Sequence, residues 1–421
     1  MRFGVFYELQ LPKPWTEDDE HRIVHEALDQ IVLADRLGID YAWAVEHHFL
    51  DEYSHCSSPE TFLAAAAART STIKLGHGIR QVIPNYNHPA RTAEVVSMLD
   101  LVSNGRAQLG FGEGATRMEL HGYNIPAKEK RAMAIEAVEQ VANMMTMTPY
   151  PGYEGRYFSM PCRNVIPKPM QKPHPPLWMA CSNRDTIRIA ASLGVGALAF
   201  AFVNPEEAKH WADIYYGTIM SEDCVPVGHT VNANIAMVSS FSIHPDRAEA
   251  IRRGQDGFEF FGYALASLVT KDTVPGRTTL WRDFHKIRGN RTEEIVRTAA
   301  LDPQYAAGIG TADDVRRHLH EFEKAGVDQV ILLQQAGRNR HDQIVESMHR
   351  FAEDVLPEFK TGADAREQAK AERLAPYVEA ALKRKKWMTP LADDEIPVIR
   401  ASIAREKFVA GRAGKVARGD G

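Results

Sequence analysis

Apolar residues along the chain fall into two alternating periods. Short runs at residues 3–7, 41–45, 73–79 and 106–112 have the length and punctuation of buried strands, and longer stretches between them place apolar residues three and four apart. Ile23, Ala27, Ile31 and Ala34 form one such stripe, entered through the capping-box chemistry of Thr16-Glu17-Asp18-Asp19 and ended by Gly38. An alanine-rich helix over residues 62–68 and a helix starting at Asn87-His88-Pro89, with Ala93, Val96 and Leu99 or Leu101 inward, keep the rhythm. Asn104-Gly105 then turns the chain into the fourth strand.

The rhythm breaks after a helix over residues 132–147. Residues 148–176 carry many prolines, Gly152, Gly155 and several aromatics, which predicts a long ordered excursion and not a domain linker. Strands resume at 177–180, 195–202 and 232–241, and the last is predicted at 329–333, followed by a helix to about residue 355. Between 244 and 310 the pattern is weak: a helix over 246–268, then a charged stretch, 271–290, interleaved with Trp281 and Phe284. Gly310 to Asp314 opens one more helix. Strands near residues 3, 41, 74, 107, 177, 197, 234 and 330 give the count and order of an α/β fold, a (β/α)8 TIM barrel with loop insertions. An open doubly wound sheet is the competing topology, since period alone does not close a sheet.

Residues 1–360 are expected to form the barrel and 361–421 a C-terminal helical extension and tail. In the extension Leu374, Tyr377, Ala381 and Leu382 share a face, Pro376 interrupts it, and residues 405–421 read as a basic, frayed tail.

Composition narrows the function classes. A net charge of −5 with 25% charged residues offers no nucleic-acid surface. Cys56, Cys162, Cys181 and Cys224 lack CxxC spacing, which argues against structural zinc and a disulfide framework and fits a reducing cytoplasm. The start of the chain does not read as a signal peptide, and no apolar run is long enough to span a membrane.

The candidate chemistry sits where strands end. Residues 41–45 stop at Glu46-His47-His48-Phe49, the pattern of a barrel strand entering the catalytic face. His55, His77 and His88 lie on or near neighbouring loops, yet without HExxH or HxH spacing and with Lys74 and Arg80 nearby no metal is expected. Gly110-Phe111-Gly112-Glu113-Gly114 follows a strand as a nucleotide loop does, but lacks the third glycine of the dinucleotide fingerprint. Cys181-Ser182-Asn183-Arg184-Asp185-Thr186 joins a strand to a helix with hydroxyls, an amide and a guanidinium, which suits a phosphate monoester or, more plainly, an N-cap.

Taken in order, the opening Met1 to Phe6, residues 43–49, Asn87-His88-Pro89-Ala90-Arg91, residues 99–106 and residues 326–335 resemble the bacterial luciferase-like family of flavin-dependent monooxygenases. The resemblance implies a homodimeric barrel that takes reduced FMN from a separate flavin reductase. With O2 as co-substrate it would oxidise a small organic substrate through a flavin C4a-peroxide. It implies proton transfer at His47, with His48 and Glu46 orienting it. The strand end carrying His77, Gly78 and Gln81 would lie against the flavin ring, often through a non-proline cis peptide. Gly112, Arg117, Ser182, Asn183 and Arg184 would serve the cofactor, the last four at its phosphate. Glu113 stands where many relatives have arginine, and Gly112 where some have cysteine, so the phosphate contacts here differ. The same barrel serves F420-dependent hydride transfer, and some relatives bind flavin without catalysis. Residues 150–158 and 271–290 are candidate lids over such a site.

Overall fold

In a computed structural model describing residues 1–399, eight parallel strands close into a barrel: β1 (Arg2–Tyr7), β2 (Tyr41–Val45), β3 (Lys74–Gln81), β4 (Ala107–Gly112), β5 (Leu177–Cys181), β6 (Gly196–Ala199), β7 (Ile235–Ser240) and β8 (Gln329–Leu333). Each pairs with its sequence neighbours, and β1 closes on β8 with Phe3 opposite Val330. Closure excludes the open sheet and leaves no exposed edge.

Large aromatics fill the barrel. Trp43 of β2 and Trp178 of β5 meet edge to face at 5.4 Å, and Tyr41 stacks on Trp43 at 5.6 Å. Gly76 of β3 makes room for them, because a Cβ there would lie 2.1 Å from the Trp43 ring. The first helix, Asp19–Leu37, buries Ile23, Ala27, Ile31 and Ala34 and ends at Gly38 in the left-handed region, φ 80°. Its start differs from expectation: Asp18 makes no capping bond, and Asp19 accepts the Thr16 N–H instead.

The proline-rich excursion contains an antiparallel hairpin, Tyr150–Glu154 with Ser159–Arg163. The weakly patterned region forms three helices, Arg247–Thr270, Leu280–Arg288 and Arg291–Leu301. The extension is the helix Ala363–Arg384, which continues through Pro376; Leu374 and Ala381 are buried, whereas Tyr377 is exposed. It packs by the strand N-termini, where Arg2 pairs with Glu367 at 2.7 Å and Lys370 with Asp328 at 2.7 Å. The tail expected at 405–421 lies outside the described residues.

Candidate active site

β2 delivers His47 to the C-terminal face of the barrel, where it is buried and lines a cavity of about 400 Å³. Its Nδ1 lies 3.0 Å from Glu119 Oε1, so the ring donates there and Nε2 faces the other way, toward Glu8 Oε1 at 3.9 Å. Burial opposes a charge on this ring, but Glu8 and Glu119 outweigh it and raise its pKa to about 9. Glu8, the first residue past β1, accepts a 3.0 Å bond from the Tyr53 hydroxyl. Burial pushes the Glu8 carboxyl up to about 7, with His47 pulling against it. Glu119 is held low: burial would raise it, but His47, Thr116 and the His48 backbone N–H all favour the carboxylate. The three side chains form a carboxylate–imidazole–carboxylate array able to keep a proton on His47 at neutral pH.

Glu46 and His48 do not touch His47. Glu46 turns sideways, accepting from the Gln81 N–H (2.9 Å), the Asn87 amide (2.8 Å) and His48 Nε2 (3.1 Å). Its work is to fasten the end of β3. His48 contacts the Tyr123 hydroxyl through Nδ1 (3.2 Å) and stacks on Tyr86. Neither residue lines the cavity, and the side chain bonded to the His47 ring is Glu119. Phe49, next in the chain, adopts φ 64°, a strained conformation for a side chain of that size, beside the turn that aims His47.

Of the three β3 residues expected against the flavin, Gln81 lines the cavity and His77 and Gly78 do not, and the strand bends by a bulge. Ala44 of β2 pairs with His77 and Val45 with Ile79, leaving Gly78 as the extra residue. Cis bonds among the described residues all precede proline, so no non-proline cis peptide marks this strand. His77 is fully buried and does not line the cavity; burial and Arg80 lower its pKa to about 3 and keep it neutral. Gln81 and Gly112 line the cavity, and Gln81 Oε1 is buried with no hydrogen-bond partner. A Cβ on Gly112 would stand 2.5 Å from Ile79 Cγ2, so the glycine lets Ile79 pack against β4 beside the Gln81 amide.

Ser182 and Asn183 also line the cavity, at the end of β5. Asn183 closes a capping box with Thr186, so the N-cap reading holds, and the loop is rigid as a result. Arg184 points away and pairs with Glu207 at the surface (2.7 Å), and Arg117 is exposed and outside the lining. The cations on the cavity wall are instead Lys130 and Arg131, from the start of the helix Lys130–Thr146. Arg131 grips Glu113 through two 3.0 Å bonds and Lys130 reaches the Gly114 carbonyl. Glu113 is thereby neutralised where an unpaired carboxylate would repel phosphate. Val45, Ile79, Met179, Phe200 and Leu265 supply apolar wall.

Glu8, Tyr53, Glu119, Lys130 and Arg131 escaped the sequence reading. Glu8 carries the same signal as Glu46, a carboxylate ending an apolar strand. Glu119 hides in Thr116-Arg117-Met118-Glu119, which reads as a helix start and is one, the Thr116 hydroxyl accepting the Glu119 N–H at 3.2 Å.

The other candidates lie elsewhere. His55 is held by Glu20 and the Asp51 carbonyl, and His88 caps the helix Pro89–Val102. The described residues hold no cluster of three or more metal-ligating side chains, and no helix among them is long and apolar enough to cross a membrane. The hairpin is pinned to the neighbouring helix by Tyr150 on Gln140 (2.9 Å), and the segment 271–280 borders a second cavity of about 170 Å³ that shares Tyr53. Neither expected lid lines the His47 cavity. Two larger clefts lie outside the barrel mouth: one of about 620 Å³ between the first helix and the segments that follow β1 and β8, and one of about 510 Å³ by the strand N-termini. Neither contains His47, Ser182 or Asn183.

Residues 1–329 match the family described as luciferase-like monooxygenase. An uncharacterized protein of Sinorhizobium fredii, y4wF, is 32% identical over 336 residues, covering 79% of this chain and 89% of that protein. The structure of the monooxygenase RslO1 from Streptomyces bottropensis superposes with TM-score 0.68 at 27% identity, over 85% of this chain and all of that one. An F420-dependent secondary alcohol dehydrogenase shares the fold at TM-score 0.64 and 17% identity, over 84% of this chain and 98% of its own.

Proposed function

This chain belongs to the luciferase-like monooxygenase family, and from that premise we propose that it is the oxygenase of a two-component FMN-dependent system. The observation that carries the reading is the single cavity that joins His47 to Ser182, Asn183, Lys130 and Arg131. Its residues fit a flat ring with an anionic tail. Gln81 Oε1 offers a free acceptor, and two cations stand over a rigid hydroxyl-amide loop. Reduced FMN, when bound, supplies the electrons that activate O2 for insertion into the substrate.

The chain's own residues do the rest. Lys130, Arg131, Ser182 and Asn183 hold the phosphate. Gln81 takes a hydrogen bond from the ring edge. His47, protonated through Glu119, delivers a proton into the cavity from Nε2, and the apolar wall excludes water. We place the protein in the cytoplasm as a homodimer, served by a diffusing flavin reductase.

The test is purified protein with reduced FMN and labelled O2. Substrate-dependent oxygen incorporation is expected, and its absence across a broad substrate panel overturns the reading. The F420 alternative is decided by which cofactor quenches the fluorescence of the buried tryptophans at micromolar concentration. A non-catalytic flavin carrier is decided by His47→Ala: unchanged turnover alongside retained binding removes His47 from the chemistry.

A further inference from the structure

Two acceptor oxygens on the cavity wall are buried without a hydrogen-bond partner, Glu8 Oε2 and Gln81 Oε1. Gln81 Oε1 belongs to the cofactor side, next to Gly112. Glu8 is different. Its carboxyl is 2% exposed, its Oε1 is taken by the Tyr53 hydroxyl, and its closest approach to His47 is 3.9 Å, beyond a hydrogen bond. Ser54 does not relieve it either, since that hydroxyl donates to the Glu8 backbone carbonyl.

A buried carboxylate oxygen without a donor is costly, and an apolar residue of the same size would suit the fold better. The geometry points to Glu8 as a substrate-binding residue whose Oε2 accepts a hydrogen bond from an O–H or N–H group on an otherwise apolar substrate. This rests on reading the cavity as the site of oxidation. The apolar wall from Val45, Ile79, Phe200 and Leu265 receives the hydrocarbon body, and Glu8 fixes its one polar end. Glu8 then discriminates as buried acceptors do: an analogue without the donor leaves the oxygen unpaired, and the site rejects it. The substrate class is accordingly small alcohols, phenols or amines, and not their ethers or the parent hydrocarbons.

The test uses matched probes and no turnover, so it is independent of the oxygenation assay. 4-Ethylphenol is compared with 4-ethylanisole, and cyclohexylmethanol with its methyl ether, by calorimetry on the full chain, with and without oxidised FMN, above neutral pH. For the wild type the hydroxyl member of at least one pair binds more tightly by about tenfold or more. In Glu8→Met, which keeps the bulk and removes both oxygens, the preference falls within about twofold, and Glu8→Gln, which retains an acceptor, keeps part of it. The inference is overturned if no hydroxyl member binds, if the wild type binds both members of each pair alike, or if Glu8→Met retains the preference. The wild-type comparison stands even where a variant fails to fold.

Discussion

His47 Nδ1 and Glu119 Oε1 are 3.0 Å apart although 72 positions separate them in the chain. One comes from the end of β2 and the other from the short helix Arg117–Gly122 after β4, so the pairing that sets β2 and β4 on either side of β3 brings them together. The bond sets which nitrogen of His47 is free to face the cavity.

Replacing that carboxylate therefore changes the acidity of His47. In Glu119→Gln the partner that helps lift His47 to about 9 is neutral, while burial still disfavours the cation. The basic limb of the turnover profile is expected to move acidward by roughly one to two pH units. A pH–rate series, with NMR titration of the imidazole, measures it; an unmoved limb would show that Glu119 does not govern the proton.

Stability follows the same linkage. His47 titrates at about 9 in the folded chain against an ordinary 6.5. Its stabilising contribution is thus complete below pH 6.5 and is lost as pH rises through about 9. Glu8, raised from 4.5 to about 7 by burial, also loses its contribution as pH rises, but between about 4.5 and 7, so the His47 effect is cleanest above neutrality. Urea unfolding of the wild type is expected to weaken by about 1–3 kcal/mol across that window, and His47→Gln should flatten the decline.

Lys130 and Arg131, not Arg117 and Arg184, stand on the cavity wall. Lys130→Ala and Arg131→Ala should each weaken FMN binding by roughly tenfold while leaving riboflavin, which lacks the phosphate, nearly unaffected. Arg117→Ala and Arg184→Ala should change neither. Fluorescence quenching with the two flavins separates these outcomes, and equal losses for both would place the cations elsewhere than the phosphate.

Gly110 of β4 has no room for a methyl group, since its Cβ would lie 2.4 Å from the His77 carbonyl and 2.8 Å from that of Gly78. Backbone, not a side-chain tip, would have to move. Gly110→Ala is expected to destabilise by about 2–4 kcal/mol and to spoil flavin binding by displacing the bulge in β3. A denaturation midpoint within error of wild type would contradict the close approach.

The barrel was legible because its signals are local. Runs at residues 3, 41, 74 and 107 were interrupted by helices with a buried stripe, and the period alone counted eight strands. His47, Ser182, Asn183 and Gly112 were legible for the same reason, standing where an apolar run stops. Arg117 and Arg184, expected at the phosphate, lie off the cavity wall, because a sequence gives the distance along a helix but not the direction of a side chain. Arg184 had Glu207, 23 positions on, as a partner. His48 and Glu46 share a strand end with His47, but side chains alternate between faces, and their bonds run to β3 and Tyr123.

By itself, then, the sequence determined the order of strands and helices and the strand end at which His47 stands, since each depends on residues close in the chain. The tertiary structure decided what surrounds that imidazole. Glu8 follows β1, Tyr53 follows β2, and Glu119, Lys130 and Arg131 follow β4; their convergence around His47 and its cavity follows from β1, β2, β3 and β4 pairing side by side, a relation between distant parts of the chain that no local pattern encodes.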